Sequence, residues 1–268
     1  MTTIAAPEAK ARATWRAVAM PDEHGGWAIT AEPALLGLLV APSWAGGLLA
    51  IAAMLAFVAR TPLKVVLVDR WRHRWLPRSQ LALRIAAVEL TLLAGLVALT
   101  VTLAGWRWIV PVLIAVPLVA VELWFDMRSR SRRLVPELCG AVGISAAAAS
   151  IALAGGADAR LAIALWVLLS GRVITSIPFV RTQIGRLRHG PVSVASSDLA
   201  QAVGIAVAAV AVFADPAVLA GAIAVIAFAC LQLVWVRRPP VPAKRLGLRL
   251  LFLGLAVVGI TAVGVHLT

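Results

Sequence analysis

Nine long stretches of apolar residues run along this chain, and short polar or basic segments separate them. The interior of a lipid bilayer offers no water to the backbone, so a chain crosses it only as helices or as a closed barrel. Barrel strands alternate in polarity, whereas these stretches are continuous and approach the roughly 20 apolar residues that a spanning helix needs. They predict an all-α, polytopic transmembrane bundle of about nine spans, at residues 27–42, 44–59, 80–104, 107–125, 134–154, 160–180, 198–214, 217–236 and 246–267.

The composition excludes a soluble core. Of the 268 residues, 62% are hydrophobic, against about 45–50% in a soluble domain. Residues 1–26 contain no apolar run, so we expect a cytoplasmic N-terminal segment without a cleavable signal peptide. The spans use most of the remaining chain, and residues 27–268 are predicted to form a single transmembrane domain.

Along the chain, connections rich in Lys and Arg alternate with connections that contain few basic residues, and this alternation orients the chain. The connections with few basic residues hold only Arg107 and Arg160. Because cytoplasmic loops are rich in Lys and Arg, we expect a multi-pass protein of the cytoplasmic membrane with its N-terminus inside. The net charge of +13 then reflects topology, and we expect no nucleic-acid partner. The predicted cytoplasmic loops are 61–79, 126–133, 181–197 and 237–245.

Arg60 and Lys64 follow the second span, where they could bind a phosphate or a lipid headgroup or simply record the topology. The segment 61–79 around Lys64 mixes apolar and basic residues. This pattern is typical of a short amphipathic helix on an anionic membrane surface. It equally suits the lid of a cavity that opens to the cytoplasm.

Ionisable side chains within or beside apolar spans are costly, so each one marks a candidate site. His24 lies just before the first span, and Glu32 lies about one turn inside it. Glu32 has no basic neighbour in the sequence, so it must be protonated, face a polar cavity or pair across helices. The structural alternative for this segment is a helix N-cap with interfacial charges.

A second charged group surrounds the turn between the fourth and fifth spans, where the sequence places Asp126, Arg128, Arg130 and Glu137. These residues form either ion pairs across the turn or a polar wall that faces a headgroup.

Arg172 lies inside the sixth span, and Arg181 follows at its cytoplasmic end. An arginine at this depth either extends to the interface or faces an internal polar cavity. We expect the cavity, with the guanidinium near Arg181, Glu32 or Asp126. The sequence contains no metal-ligand spacing and no nucleotide-binding motif, so we expect neither a metal site nor a cofactor.

The segments Glu23-His24-Gly25-Gly26-Trp27-Ala28 and Pro136-Glu137-Leu138-Cys139-Gly140 resemble the YwiC-like bacterial membrane proteins. The resemblance extends over nearly the whole chain. It implies a bacterial membrane protein and no particular activity.

A weaker resemblance is to the UbiA-type intramembrane prenyltransferases, which share the nine-helix layout with a cytoplasmic N-terminus. The segments 125–130 and 136–140 are similar to the turn between their fourth and fifth helices. Those enzymes hold Mg²⁺ and a prenyl diphosphate with two Asp-rich motifs. At the corresponding places this chain has Arg60, Lys64, Arg172 and Arg181. The resemblance therefore implies a UbiA-like bundle that binds its anion without Mg²⁺ or that has lost the chemistry.

Together these features predict a bundle that binds an anionic isoprenoid or another phosphate-bearing lipid in a cavity open to the cytoplasmic leaflet. The four basic residues just named would bind the headgroup, while Glu32, Asp126 and Glu137 would orient them or handle a proton. His24, Arg128 and Arg130 complete the candidate ligand-binding set. The sequence leaves open whether the protein is an enzyme. The alternatives are a small transporter with a coupled Glu32–Arg172 pair and a membrane assembly partner of a respiratory complex.

Overall fold

The computed structural model describes residues 15–21, 24–130 and 133–268. Within these ranges the chain forms nine long helices, and a 3₁₀ turn at Pro216–Val218 leads into the eighth. The helices are α1 (His24–Val40), α2 (Trp44–Trp71), α3 (Pro77–Ala104), α4 (Ile109–Met127), α5 (Leu134–Ala154), α6 (Ala159–His189), α7 (Ala195–Ala214), α8 (Leu219–Trp235) and α9 (Ala243–Leu267).

Eight of these helices are long and apolar enough to cross a membrane. The exception is α1, which has 17 residues and contains Pro33. At 1.5 Å per residue it is about 25 Å long, somewhat short of a hydrocarbon core of about 30 Å. The predicted polytopic helical bundle is confirmed, and the nine predicted spans correspond one to one with α1–α9.

Two helices continue well beyond the predicted spans. Helix α2 runs for 28 residues to Trp71, so most of segment 61–79 is neither a surface helix nor a lid, and the connection to α3 is residues 72–76. Helix α6 runs for 31 residues to His189, which shortens the predicted loop 181–197 to residues 190–194. Charged side chains on the extra turns form ion pairs with residues of neighbouring helices, and these contacts stabilise the helical extensions.

Helices α5 and α6 form the centre of the bundle. In the apolar 18-residue stretch of α5 and of α6, 56% and 61% of the residues are buried, against 11% for α3. The main core joins α1 and α5–α9 through side chains such as Leu36, Leu165, Val225 and Val257. Helix α3 packs mainly against α2, and it therefore lies at the edge of the bundle with most of its surface exposed.

The four basic connections lie at the same end of the bundle. Arg72 Nη2 donates a hydrogen bond to Ser129 Oγ at 2.8 Å, which joins the α2–α3 and α4–α5 connections. Arg186, near the end of α6, donates to the carbonyl oxygens of Val236 and Arg238 in the α8–α9 connection. This end is called the basic end below. Its location on the cytoplasmic side stays a prediction.

Candidate functional site

The interior of the bundle contains one buried ion pair, between Glu32 of α1 and Arg172 of α6, within the part of the chain that the structure describes. Arg172 Nη2 donates to Glu32 Oε1 at 2.9 Å. The two residues are only 5% and 2% exposed. The Arg172 guanidinium thus points inward, and of the three neighbours expected for it, Arg181, Glu32 or Asp126, it contacts Glu32.

The same guanidinium also binds α9. Its Nη2 donates to the Leu250 carbonyl oxygen at 2.9 Å, and its Nη1 donates to Ser176 Oγ at 2.6 Å. Helix α9 approaches this closely because residue 254 is glycine, since a Cβ there would overlap the Glu32 carboxylate. The ion pair therefore joins α1, α6 and α9, and the charges of its two side chains neutralise each other.

A small void lies beside Arg172 and is lined by polar residues such as Thr175 and Ser176 and by apolar ones such as Val225 and Val257. Its volume is about 10 Å³, which is close to the space that one water molecule needs. The Oε1 atom of Gln232, which also lines the void, has no hydrogen-bond donor within the described structure. The void is far too small for a phosphate headgroup.

Arg60 and Lys64 face a matching pair of carboxylates on α4. Asp126 accepts from Arg60 Nε at 2.9 Å and lies 3.3 Å from Lys64 Nζ. Glu122 Oε1 lies 2.9 Å from Arg60 Nη2. Each pair is spaced four residues apart on its helix, so the two faces meet side by side. The carboxylates balance both basic charges inside the protein.

Gly140 of α5 makes room for this arrangement, because a Cβ at this position would overlap the Glu122 carboxylate. The four charged residues 60, 64, 122 and 126 are called the α2–α4 charge cluster below.

The remaining predicted residues lie around the basic end. Arg181 Nη1 donates to Glu137 Oε2 at 2.8 Å, which links α6 to α5. The Arg128 guanidinium lies 3.8 Å from the ring centre of Trp124 and 5.4 Å from that of Trp71.

Two further residues, Arg130 and His24, belong to the predicted set. Arg130 is exposed, and the side chain of His24 lies outside the described residues. The structure thus distributes the predicted site over several ion pairs, and a ligand-binding role for any of these residues stays a prediction.

Sequence reasoning missed a groove at the basic end, between α6, α8 and α9. The groove has a volume of about 360 Å³. Its lining residues are Phe179, Gln183, Trp235, Arg238, Pro239, Val241, Leu246 and Arg249.

The groove is basic. Neither Arg238 nor Arg249 has a carboxylate within 4 Å among the described residues, and the Arg249 guanidinium lies 5.3 Å from the centre of the Trp235 ring. Gln183 Nε2 donates to the Trp235 carbonyl oxygen at 2.8 Å, which leaves Gln183 Oε1 buried without a donor. These groups can accept an anion together with a hydroxyl or a water.

One signal in the sequence could have identified this groove. Arg249 is an arginine inside a predicted span, the same criterion that singled out Arg172. The neighbouring Arg237 does not belong to the groove, because its guanidinium donates to both oxygens of Asp198 at 3.0 and 2.7 Å. That hydrogen-bonded carboxylate raises the pKa of Arg237 above its usual value.

No group of three or more His, Cys, Asp or Glu side chains that could hold a metal ion occurs within the described ranges. Of the arrangements above, the groove has the space and the unpaired positive charge for an external anion. The ion pairs link neighbouring helices.

The family model described as YwiC-like protein matches residues 20–152. This region contains Glu32 and the α2–α4 charge cluster, whereas Arg172 and the groove lie beyond it. No curated protein and no solved structure matches the chain, and the weaker resemblance to UbiA-type enzymes is not borne out. Residues 20–152 of this integral membrane protein, 133 of its 268, match the YwiC-like family, as its Glu23–Ala28 and Pro136–Gly140 segments predicted.

Proposed function

We propose that the protein binds an anionic amphiphile whose phosphate or carboxylate headgroup lies in the groove at the basic end. The observation that carries the proposal is the pair Arg238 and Arg249, which line a cavity of about 360 Å³ without a carboxylate partner in the described structure. From the sequence we expect the headgroup at Arg60, Lys64 and Arg172. Carboxylates already balance the charges of these three residues, so the proposed headgroup site is the groove instead.

The composition of the groove supports an amphiphile rather than a fully polar anion. Phe179, Val241 and Leu246 provide apolar walls, and these suit the first methylenes of an acyl or isoprenoid chain. Arginine binds phosphate and carboxylate in a bidentate manner. Trp235 lies at the end of a spanning helix, where indole rings commonly mark the headgroup layer.

The groove contains no carboxylate in its lining. Mg²⁺ is held in proteins mainly by carboxylates together with substrate phosphates, so the proposed contact is a direct one between arginine and anion. Binding should therefore persist in the presence of EDTA.

The experiment measures lipid binding by native mass spectrometry on the purified full-length protein, with phosphatidylglycerol and phosphatidylcholine as probes. We expect the wild type to prefer phosphatidylglycerol. Arg249→Gln and Arg238→Gln should each weaken that binding about tenfold or more, because one hydrogen bond to a charged group contributes roughly 1.5–3 kcal/mol.

Arg245→Gln is the matched control, since Arg245 is an exposed arginine on the same helix that does not line the groove. Equal binding of the two lipids, or an equal loss in the control variant, would show that the protein responds only to general charge at this end of the bundle.

A further inference from the structure

The edge helix α3 contains a single acidic residue, Glu89, in the sequence Pro77–Ala104. Glu89 lies 12 residues after the start of the helix and 15 before its end. At 1.5 Å per residue these separations are about 18 and 22 Å. Glu89 therefore lies well inside a helix that is long and apolar enough to cross a membrane.

Glu89 faces the contact between α3 and α2. It belongs to the stripe of buried and half-buried residues that also contains Ala82, Ala86, Leu93 and Thr100, at the three- and four-residue spacing of one helix face. The side chain is half-buried, and its Oε2 atom is fully buried without any hydrogen-bond donor. The carboxyl group thus lies in an apolar contact between two helices.

The basic residues near Glu89 are occupied elsewhere. On α3, Arg78 binds Asp69, and Arg84 is exposed and five residues away, which places it on a different face of the helix.

The ionisable residues on the facing length of α2 are likewise engaged or distant. Arg60 and Lys64 contact the carboxylates of α4, Asp69 accepts from Arg78, and Arg70 is exposed near the basic end. Glu89 therefore has no counter-ion among the described residues.

We propose that Glu89 is a proton-binding site on the membrane-spanning length of α3, which holds its proton when the protein is at rest. An ionised carboxylate that is neither hydrated nor paired is strongly disfavoured in an apolar region, so the group takes up a proton instead. Helix α3 has a single main neighbour, so loss of the proton places an unpaired charge at one helix contact. Movement of α3 or entry of a cation can then stabilise that charge. This inference does not depend on the proposed function of the groove.

The experiment uses dicyclohexylcarbodiimide, an apolar reagent that enters membranes and adds to protonated carboxyl groups. The carboxylic acid adds across one C=N bond of the reagent, and the adduct rearranges to a stable N-acylurea without loss of any atom. We expect peptide mass spectrometry of the full chain in membranes to find the adduct on Glu89, with a yield that falls as the pH rises.

Glu32 is the internal control, because it is a buried carboxylate on another helix that is paired with Arg172, so it should remain unmodified. The infrared spectrum provides a measurement that does not require access by a reagent. A carbonyl band of a protonated carboxylic acid should be present in the wild type and missing in Glu89→Gln. An unmodified Glu89 together with the absence of this band would overturn the proposal and indicate an ionised Glu89 with a cationic partner from another molecule.

Discussion

The carboxylate of Glu32 occupies the space that a side chain at Gly254 would need. Arg172 Nη2 lies within 2.6 Å of the same position. Helices α1, α6 and α9 therefore meet at a point where one of them has no side chain. The buried ion pair and the glycine on the facing helix form one structural unit.

The first prediction concerns this glycine. Gly254→Ala should destabilise the protein by about 1–3 kcal/mol, the usual cost of adding a group to a tightly packed interior. Thermal unfolding in detergent measures the effect. Gly259→Ala is the control on the same helix, because a Cβ at residue 259 meets open space. A comparable loss in both variants would show that the contact with Glu32 does not decide the result, since alanine is by itself the better helix former.

The second prediction concerns the ion pair itself. Arg172→Leu leaves Glu32 buried without its partner and should cost about 3–5 kcal/mol, the range found when one member of a buried pair is removed. Arg172→Lys should recover only part of this loss, because an ammonium group lacks the planar fork that reaches Glu32, Ser176 and the Leu250 carbonyl together.

A double-mutant cycle tests this coupling between the two residues. The variant with both Arg172→Leu and Glu32→Leu should be more stable than the sum of the single losses predicts, since it contains no unpaired buried charge. Strictly additive losses would mean that the two side chains contribute independently.

The third prediction compares a fully buried carboxylate with a half-buried one. Asp126 is fully buried and contacts both Arg60 and Lys64, so Asp126→Asn should destabilise the bundle by about 1–3 kcal/mol. Asp198→Asn should have little effect, because its partner Arg237 is exposed and water screens such pairs. The measurement is the unfolding temperature of each variant. A larger decrease for Asp198→Asn than for Asp126→Asn would contradict the expected contribution of the α2–α4 charge cluster to stability.

The number and the approximate positions of the helices could be predicted from the sequence because the bilayer imposes a minimum length of apolar residues on each span. The helix ends could not. Charged residues at 64, 69 and 181 were interpreted as loop, yet Lys64, Asp69 and Arg181 lie inside helices and contact carboxylates or guanidinium groups on neighbouring helices.

A single sequence likewise does not show which charged residues form ion pairs with each other. Glu32 and Arg172 are separated by 140 positions, and only the packing of α1 against α6 and α9 brings them together. Glu122 and Asp126 are four residues apart, the spacing of one helix face, but nothing in the sequence identified α2 as the helix that faces them. The groove was missed for the same reason, because Arg238 and Arg249 lie on different elements that meet only in the folded bundle.

The last prediction concerns the orientation of the bundle. The structure places the arginine-rich connections at one end, and the excess of Lys and Arg predicts that this end is cytoplasmic. Ser193 and Ala243 are exposed at the basic end, and Ala159 is exposed at the start of α6 at the opposite end. In a variant whose two native cysteines are replaced by alanine, a membrane-impermeant thiol reagent added to intact cells should label Ala159→Cys and leave Ser193→Cys and Ala243→Cys unmodified. Inside-out vesicles should give the reverse pattern, because the reagent then reaches the basic end. Labelling of Ser193→Cys in intact cells would place the groove on the outer side, where an anionic lipid of the inner leaflet could not reach Arg238 and Arg249.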